Sequence, residues 1–100
     1  MPKTTVVNVR RERYDVKITR RPDGTIPDPP QSGCFGNPFT VGAHGREECI
    51  RLFEEYFLDR LADDPVFAEA VLSLKGKRLG CVCKPKTCHG DIIVKWLDEQ

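Results

Sequence analysis

The sequence predicts a small α/β domain: a Rossmann-like sheet with parallel first and last strands, flanked by three helices. Three observations predict it. The chain opens on two β-rich segments and closes on a strand followed by an amphipathic helix, with two helical patterns between them. That order lets the first and last strands lie side by side, joined by a right-handed helical crossover. The 100 residues, 39% apolar and 31% charged, suit a single core spanning 1–100.

Thr4 to Arg10 is β-branched and apolar on both faces, which suits a buried central strand. Tyr14 to Arg20 alternates apolar and polar side chains, the pattern of a half-buried strand. Residues 21–45 then hold five of the eight prolines and five of the eight glycines, so a long loop without regular structure is expected there. Cys49, Ile50, Phe53, Phe57 and Leu61 recur at helical spacing and predict a helix over 46–62, with Glu47 and Glu48 favouring its N-terminal end. Asp64-Pro65 caps and starts a second helix whose inner face is Phe67, Ala70, Val71 and Leu74, and Gly76 ends it. Lys77 to Cys83 reads as a strand. A last helix runs from Cys88, with Ile92, Ile93, Trp96 and Leu97 facing inward.

Sixteen basic residues against fifteen acidic ones leave a net charge of +1, which does not favour strong nucleic-acid binding. No apolar run approaches the roughly 20 residues that cross a bilayer, and residues 1–5 do not resemble a signal peptide, so a cytoplasmic location without membrane contact is expected. Five cysteines is an odd count, which argues against a disulfide framework and for thiols that are buried, metal-bound or reactive. Cys49, on the apolar stripe of its helix, reads as a small buried hydrophobe.

Three of the five cysteines and one of the two histidines fall within nine residues, from Cys81 to His89. Cys83 stands at the end of the predicted strand. Cys88 and His89 stand at the start of the last helix, where backbone N–H groups and the macrodipole favour an anion or a thiolate. Asp91, in the same turn, complements the dipole and is placed to orient His89. Cys88, His89 and Asp91 are therefore the candidate catalytic residues, with Gly90 and Cys83 beside them as ligand contacts. The residue types of Cys81, Cys83, Cys88 and His89 also suit zinc, although their spacing departs from the usual pairs. Packing alone would explain Cys81, the deepest of them.

Other candidates lie where such sheets bind ligands, beyond the C-terminal ends of the strands. Asn8 and Arg10 end the first strand. Arg20 ends the second. Asn37 sits in the tight turn Gly36-Asn37-Pro38-Phe39, and Arg46 at a helix start opposes the dipole unless it meets an anion. The arginines are suited to phosphate or carboxylate. The expected ligand is a nucleotide or another phosphorylated small molecule, bound or processed at the final strand–helix junction. A zinc-binding structural or interaction module is the alternative, and a thiol redox role through Cys83 and Cys88 ranks behind both.

These stretches together resemble a small family found in bacteria and phages and catalogued as a domain of unknown function. The resemblance is carried by Asn8-Val9-Arg10, Tyr14-Asp15-Val16 with Ile18 and Arg20, Gly36-Asn37-Pro38-Phe39, Arg46, and Gly76 to Cys83 through Pro85 to Cys88-His89-Gly90-Asp91. Members commonly have an aromatic residue where this chain has Val82, and Lys-Trp where it has Cys34-Phe35. A second uncharacterised family is similar in ending a strand with cysteine and opening the next helix with Cys-His-Arg. The resemblance implies an α/β domain and a shared site, and no particular activity.

Overall fold

The structure is a computed structural model that describes residues 3–21, 25–29, 31, 33–82, 86 and 88–100. Its elements in chain order are β1 (Thr5–Asn8), β2 (Val16–Lys17), α1 (Val41–His44), α2 (Arg46–Asp63), α3 (Pro65–Leu72), β3 (Arg78–Cys81) and α4 (His89–Asp98). The three strands form one sheet in the order β1-β3-β2, and both pairings are parallel. The predicted α/β class and the parallel first and last strands are therefore present.

The sheet corrects one expectation. β3, not β1, is the central strand. In β3, Leu79, Gly80 and Cys81 are all buried, whereas Thr5 of β1 is exposed and Val6 and Asn8 are only half-buried. The cause lies in the connection between β1 and β2. Both run parallel to β3 on opposite sides of it, so residues 9–15 must return across one face of the central strand. Gly80 makes room for them. A Cβ there would lie 2.7 Å from Val9 Cγ1 and 2.8 Å from Tyr14 Cγ. The opposite face, which carries Leu79 and Cys81, meets the helices.

β2 is shorter than the alternating pattern suggests, but its pairing extends at both ends. Asp15 N–H donates to Arg78 O at 2.8 Å and Ile18 N–H to Gly80 O at 2.9 Å. The Asp15 carboxylate accepts from Arg78 N–H at 2.8 Å. That bond and the nearby Arg78 guanidinium hold Asp15 below the usual carboxylate range.

α2 follows its apolar stripe: Cys49, Phe53 and Phe57 are buried. Phe53 stacks on Phe57 with centroids 5.5 Å apart, and Phe57 meets the edges of Phe67 and Trp96 at 6.0 Å each. With Ile18, Val71, Leu74, Leu79, Ile93 and Leu97 these rings make the core. Asp64 caps α3 as expected, accepting from Phe67 N–H at 3.1 Å. Gly76 takes a φ of 82°, and its N–H donates to the buried Thr4 hydroxyl at 2.7 Å, fastening the turn before β3 to the start of β1. The long loop holds one element that its composition hid, the four-residue helix α1. Burial raises the Cys34 thiol pKa, and the nearby Arg60 partly opposes the shift. No described helix is long and apolar enough to cross a membrane.

Candidate functional site

A cavity of about 350 Å³ opens at the C-terminal ends of β2 and β3. This is where parallel α/β sheets place their ligands, because the strand ends and the following helix starts leave a crevice there. Lys17, Thr19, Arg20 and Arg21 form one wall, and Asn37, Phe39 and Thr40 a second. Arg46, Cys49 and Ile50 project from the first turn and a half of α2. Cys81, Val82, Cys88 and His89 complete it at the junction between β3 and α4.

The junction brings three soft donors together. The potential ligand atoms of Cys81, Cys88 and His89 all lie within 4.8 Å of one another, and all three residues are buried. Two local features place them. Cys81 is carried by the central strand in register with Asn8 of β1. Cys88 is the N-cap of α4 in a capping box, its side chain facing the Asp91 N–H while Asp91 Oδ2 accepts from the Cys88 N–H at 3.1 Å. The sequence Cys-His-Gly-Asp thus reproduces the Ser-x-x-Glu cap with sulfur in place of the hydroxyl.

His89 Nε2 lies 2.8 Å from Ile18 O. A carbonyl oxygen only accepts, so Nε2 carries the proton and, in the neutral ring, the lone pair is on Nδ1. The ring also meets Phe53 edge-on at 5.0 Å. α4 sits this close to the sheet because residue 90 is glycine: a Cβ there would come within 2.7 Å of Ile18 Cδ1 and 3.0 Å of Val6 Cγ2.

The turn at Asn37 and Phe39 forms a polar network with Cys49 and Arg20. Asn37 Oδ1 accepts from Phe39 N–H at 2.9 Å, and its amide Nδ2 lies 3.2 Å from Cys49 Sγ as donor. The Cys49 thiol in turn approaches Phe39 O at 3.4 Å. Arg20 Nη1 donates to Asn37 O at 2.9 Å and to Phe39 O at 3.2 Å. Gly36 lets the turn rest on the Arg20 backbone, where a Cβ would fall 2.5 Å from Arg20 Cα.

Of the sequence candidates, Arg20, Asn37, Arg46, Cys88 and His89 line the cavity, and so does Cys81. Gly90 and Asp91 lie directly behind its wall, the first as a packing contact and the second as a cap. Asn8 and Arg10 are not among the lining residues. Asn8 Oδ1 accepts from Arg10 N–H at 2.8 Å and turns the chain after β1, while Arg10 is exposed. Cys83 lies outside the described residues. Lys17, Thr19, Arg21, Thr40, Cys49 and Ile50 were not foreseen. A signal existed for two of them, since Cys49 and Ile50 stand three and four places after Arg46 and share its side of α2.

The family described as "Domain of unknown function (DUF4326)" matches residues 3–99, and the chain belongs to it. It is 40% identical over 88 residues to the "uncharacterized 12.4 kDa protein in nrdA-td intergenic region" of Enterobacteria phage T4, a match that covers 88% of this chain and 71% of the phage protein. No solved structure matches the chain.

Proposed function

We propose that this member of the family binds a small phosphorylated molecule, a mononucleotide or a sugar phosphate, in the cavity at the ends of β2 and β3. One observation carries the reading. Lys17, Arg20, Arg21 and Arg46 line the cavity, and no aspartate or glutamate does so among the described residues. A concave site with cations of one sign and no carboxylates concentrates anions, and arginine suits phosphate in particular. Phe39 and Ile50 supply apolar surface, and the volume lies within the range of small-molecule sites. The anion receptor is the cation cluster more than the start of α4, because the Asp91 carboxylate already occupies that helix end, accepting from the Cys88 N–H. Arg20 is held in place by the turn carbonyls, so it meets a ligand without first being ordered. In a reaction on the bound molecule, Cys88 is the nucleophile or polar anchor and His89 Nδ1 the proton acceptor.

Thermal denaturation with inorganic phosphate, ribose 5-phosphate and ribonucleoside monophosphates tests this. A ligand present at a hundred times its Kd stabilises the fold by about 2.7 kcal/mol, a shift of roughly 10 °C or more for a domain of this size. Arg46→Ala should weaken that ligand about tenfold. The reading fails when no compound raises the midpoint at millimolar concentration.

A second reading is favoured by the three converging donors. Cys81, Cys88 and His89 suit zinc, held in a structural or interaction module. Metal analysis of the purified chain tests it. Under about a tenth of an equivalent, with stability unchanged by chelator, removes it.

A further inference from the structure

We infer that Cys81, Cys88 and His89 form an open metal centre, in which two thiolates and His89 Nδ1 hold a zinc-like divalent cation and the remaining coordination position faces the basic cavity for a small anion. The inference rests on the second reading above and joins it to the first. Tetrahedral zinc with sulfur and nitrogen ligands needs donor separations of about 3.5–3.8 Å; the two sulfurs and a His89 ring nitrogen already lie within 4.8 Å of one another, so side-chain movements of about 1 Å would close them on an ion. Binding forms two metal–sulfur bonds and one metal–nitrogen bond and releases the two thiol protons to solvent.

Three features favour an open centre over a closed one. First, His89 is already oriented for ligation. Its Nε2–H is committed to the Ile18 carbonyl, which directs the Nδ1 lone pair elsewhere and is the outer hydrogen bond that metal-bound histidines characteristically make. Second, all three donors belong to the wall of the same cavity. The ion therefore has protein on one side and the cavity on the other. Third, charge balance calls for an anion. Two thiolates cancel a divalent cation and neutral His89 adds nothing, so Lys17, Arg20 and Arg21 leave the cavity lining positive, with no carboxylate among its described residues. A phosphate oxygen would then meet both the metal and the arginines.

Cobalt(II) is the probe, since its thiolate charge-transfer band reports sulfur ligation and its ligand-field bands report the other positions. The metal-free chain should take up one equivalent. Azide and inorganic phosphate should each shift the ligand-field bands. His89→Gln should weaken cobalt at least tenfold. No cobalt uptake overturns the second reading and this inference together. Uptake with bands unmoved by both anions overturns the open centre alone and leaves a closed metal module standing. The anion titration uses the wild-type chain and so is independent of whether any variant folds.

Discussion

The two walls of the cavity use the same residue types for opposite ends. At the turn, Cys49 and Asn37 face each other and the Phe39 backbone, and Arg20 clamps the same carbonyls. Those polar groups satisfy one another, which rigidifies the wall. At the junction, Cys81, Cys88 and His89 bring their potential ligand atoms within 4.8 Å of one another, and the His89 Nε2–H bonds to the Ile18 carbonyl just after β2. A cysteine that bonds to a turn holds shape. A cysteine that converges with another cysteine and a histidine offers chemistry. Residue type does not separate the two roles; the direction of neighbouring donors does.

The largest expected effect that tests this contrast is at the glycines under each wall. Gly36→Ala would drive a Cβ into the Arg20 backbone, with contacts of 2.5 Å to Cα and 2.6 Å to N that no rotamer relieves. It should cost about 3 kcal/mol, measured as a lowered urea midpoint at constant slope. Gly90→Ala meets only the ends of the Ile18 and Val6 side chains. It should cost about 1 kcal/mol but push α4 away from the sheet and weaken cobalt binding. Equal losses for the two variants would contradict the distinction between backbone contacts under the turn and side-chain contacts under α4.

Next in size is Asn37→Ala. It removes the acceptor for Phe39 N–H and the amide that faces Cys49, and should lower stability by about 2 kcal/mol. Cobalt uptake by the folded fraction should be unchanged, because Asn37 belongs to the opposite wall. A matching loss of metal would merge the two walls into one network.

The smallest effect concerns acid. Asp15 sits at the N-terminal end of β2, away from the cavity, and its bonds to Arg78 depress its pKa in the folded chain. A depressed carboxylate stabilises above its unfolded pKa and loses that contribution as pH falls through the folded value. Stability should therefore decline below about pH 4, and Asp15→Asn should flatten that part of the curve. Both ends of the pair are well exposed, so high salt should shrink the effect. Ligand binding at neutral pH should not respond to Asp15→Asn.

How much of this was legible differs by element. α2 and α4 could be read because Phe53 and Phe57, or Ile93 and Leu97, recur with the helix period and each element carries its own pattern. The cap of α3 at Asp64 was legible for the same local reason. The strand order was not, because an apolar run such as Val6-Val7 looks alike in a central and an edge strand. Only Gly80 hinted that another segment crosses β3, and a lone glycine does not say which. α1 was hidden by the glycines and prolines around it. Asn37 and Arg20 both line the cavity, but their mutual bond spans seventeen residues of sequence, a distance that no local rule covers.

The sequence by itself determined the class of the domain, its family, and the clustering of three cysteines and a histidine between Cys81 and His89, since periodicity, caps and residue types are all properties of neighbours along the chain. The tertiary structure decided which donors meet. It brought Cys81 to Cys88 and His89, gave His89 its tautomer through Ile18, assigned Cys49 to the turn, set Asn8 and Arg10 outside the cavity and recruited Lys17 and Arg21 into it. Those outcomes follow from how parallel strands stack side by side and how closely α4 can approach them, and spacing along a chain does not specify distance across a sheet.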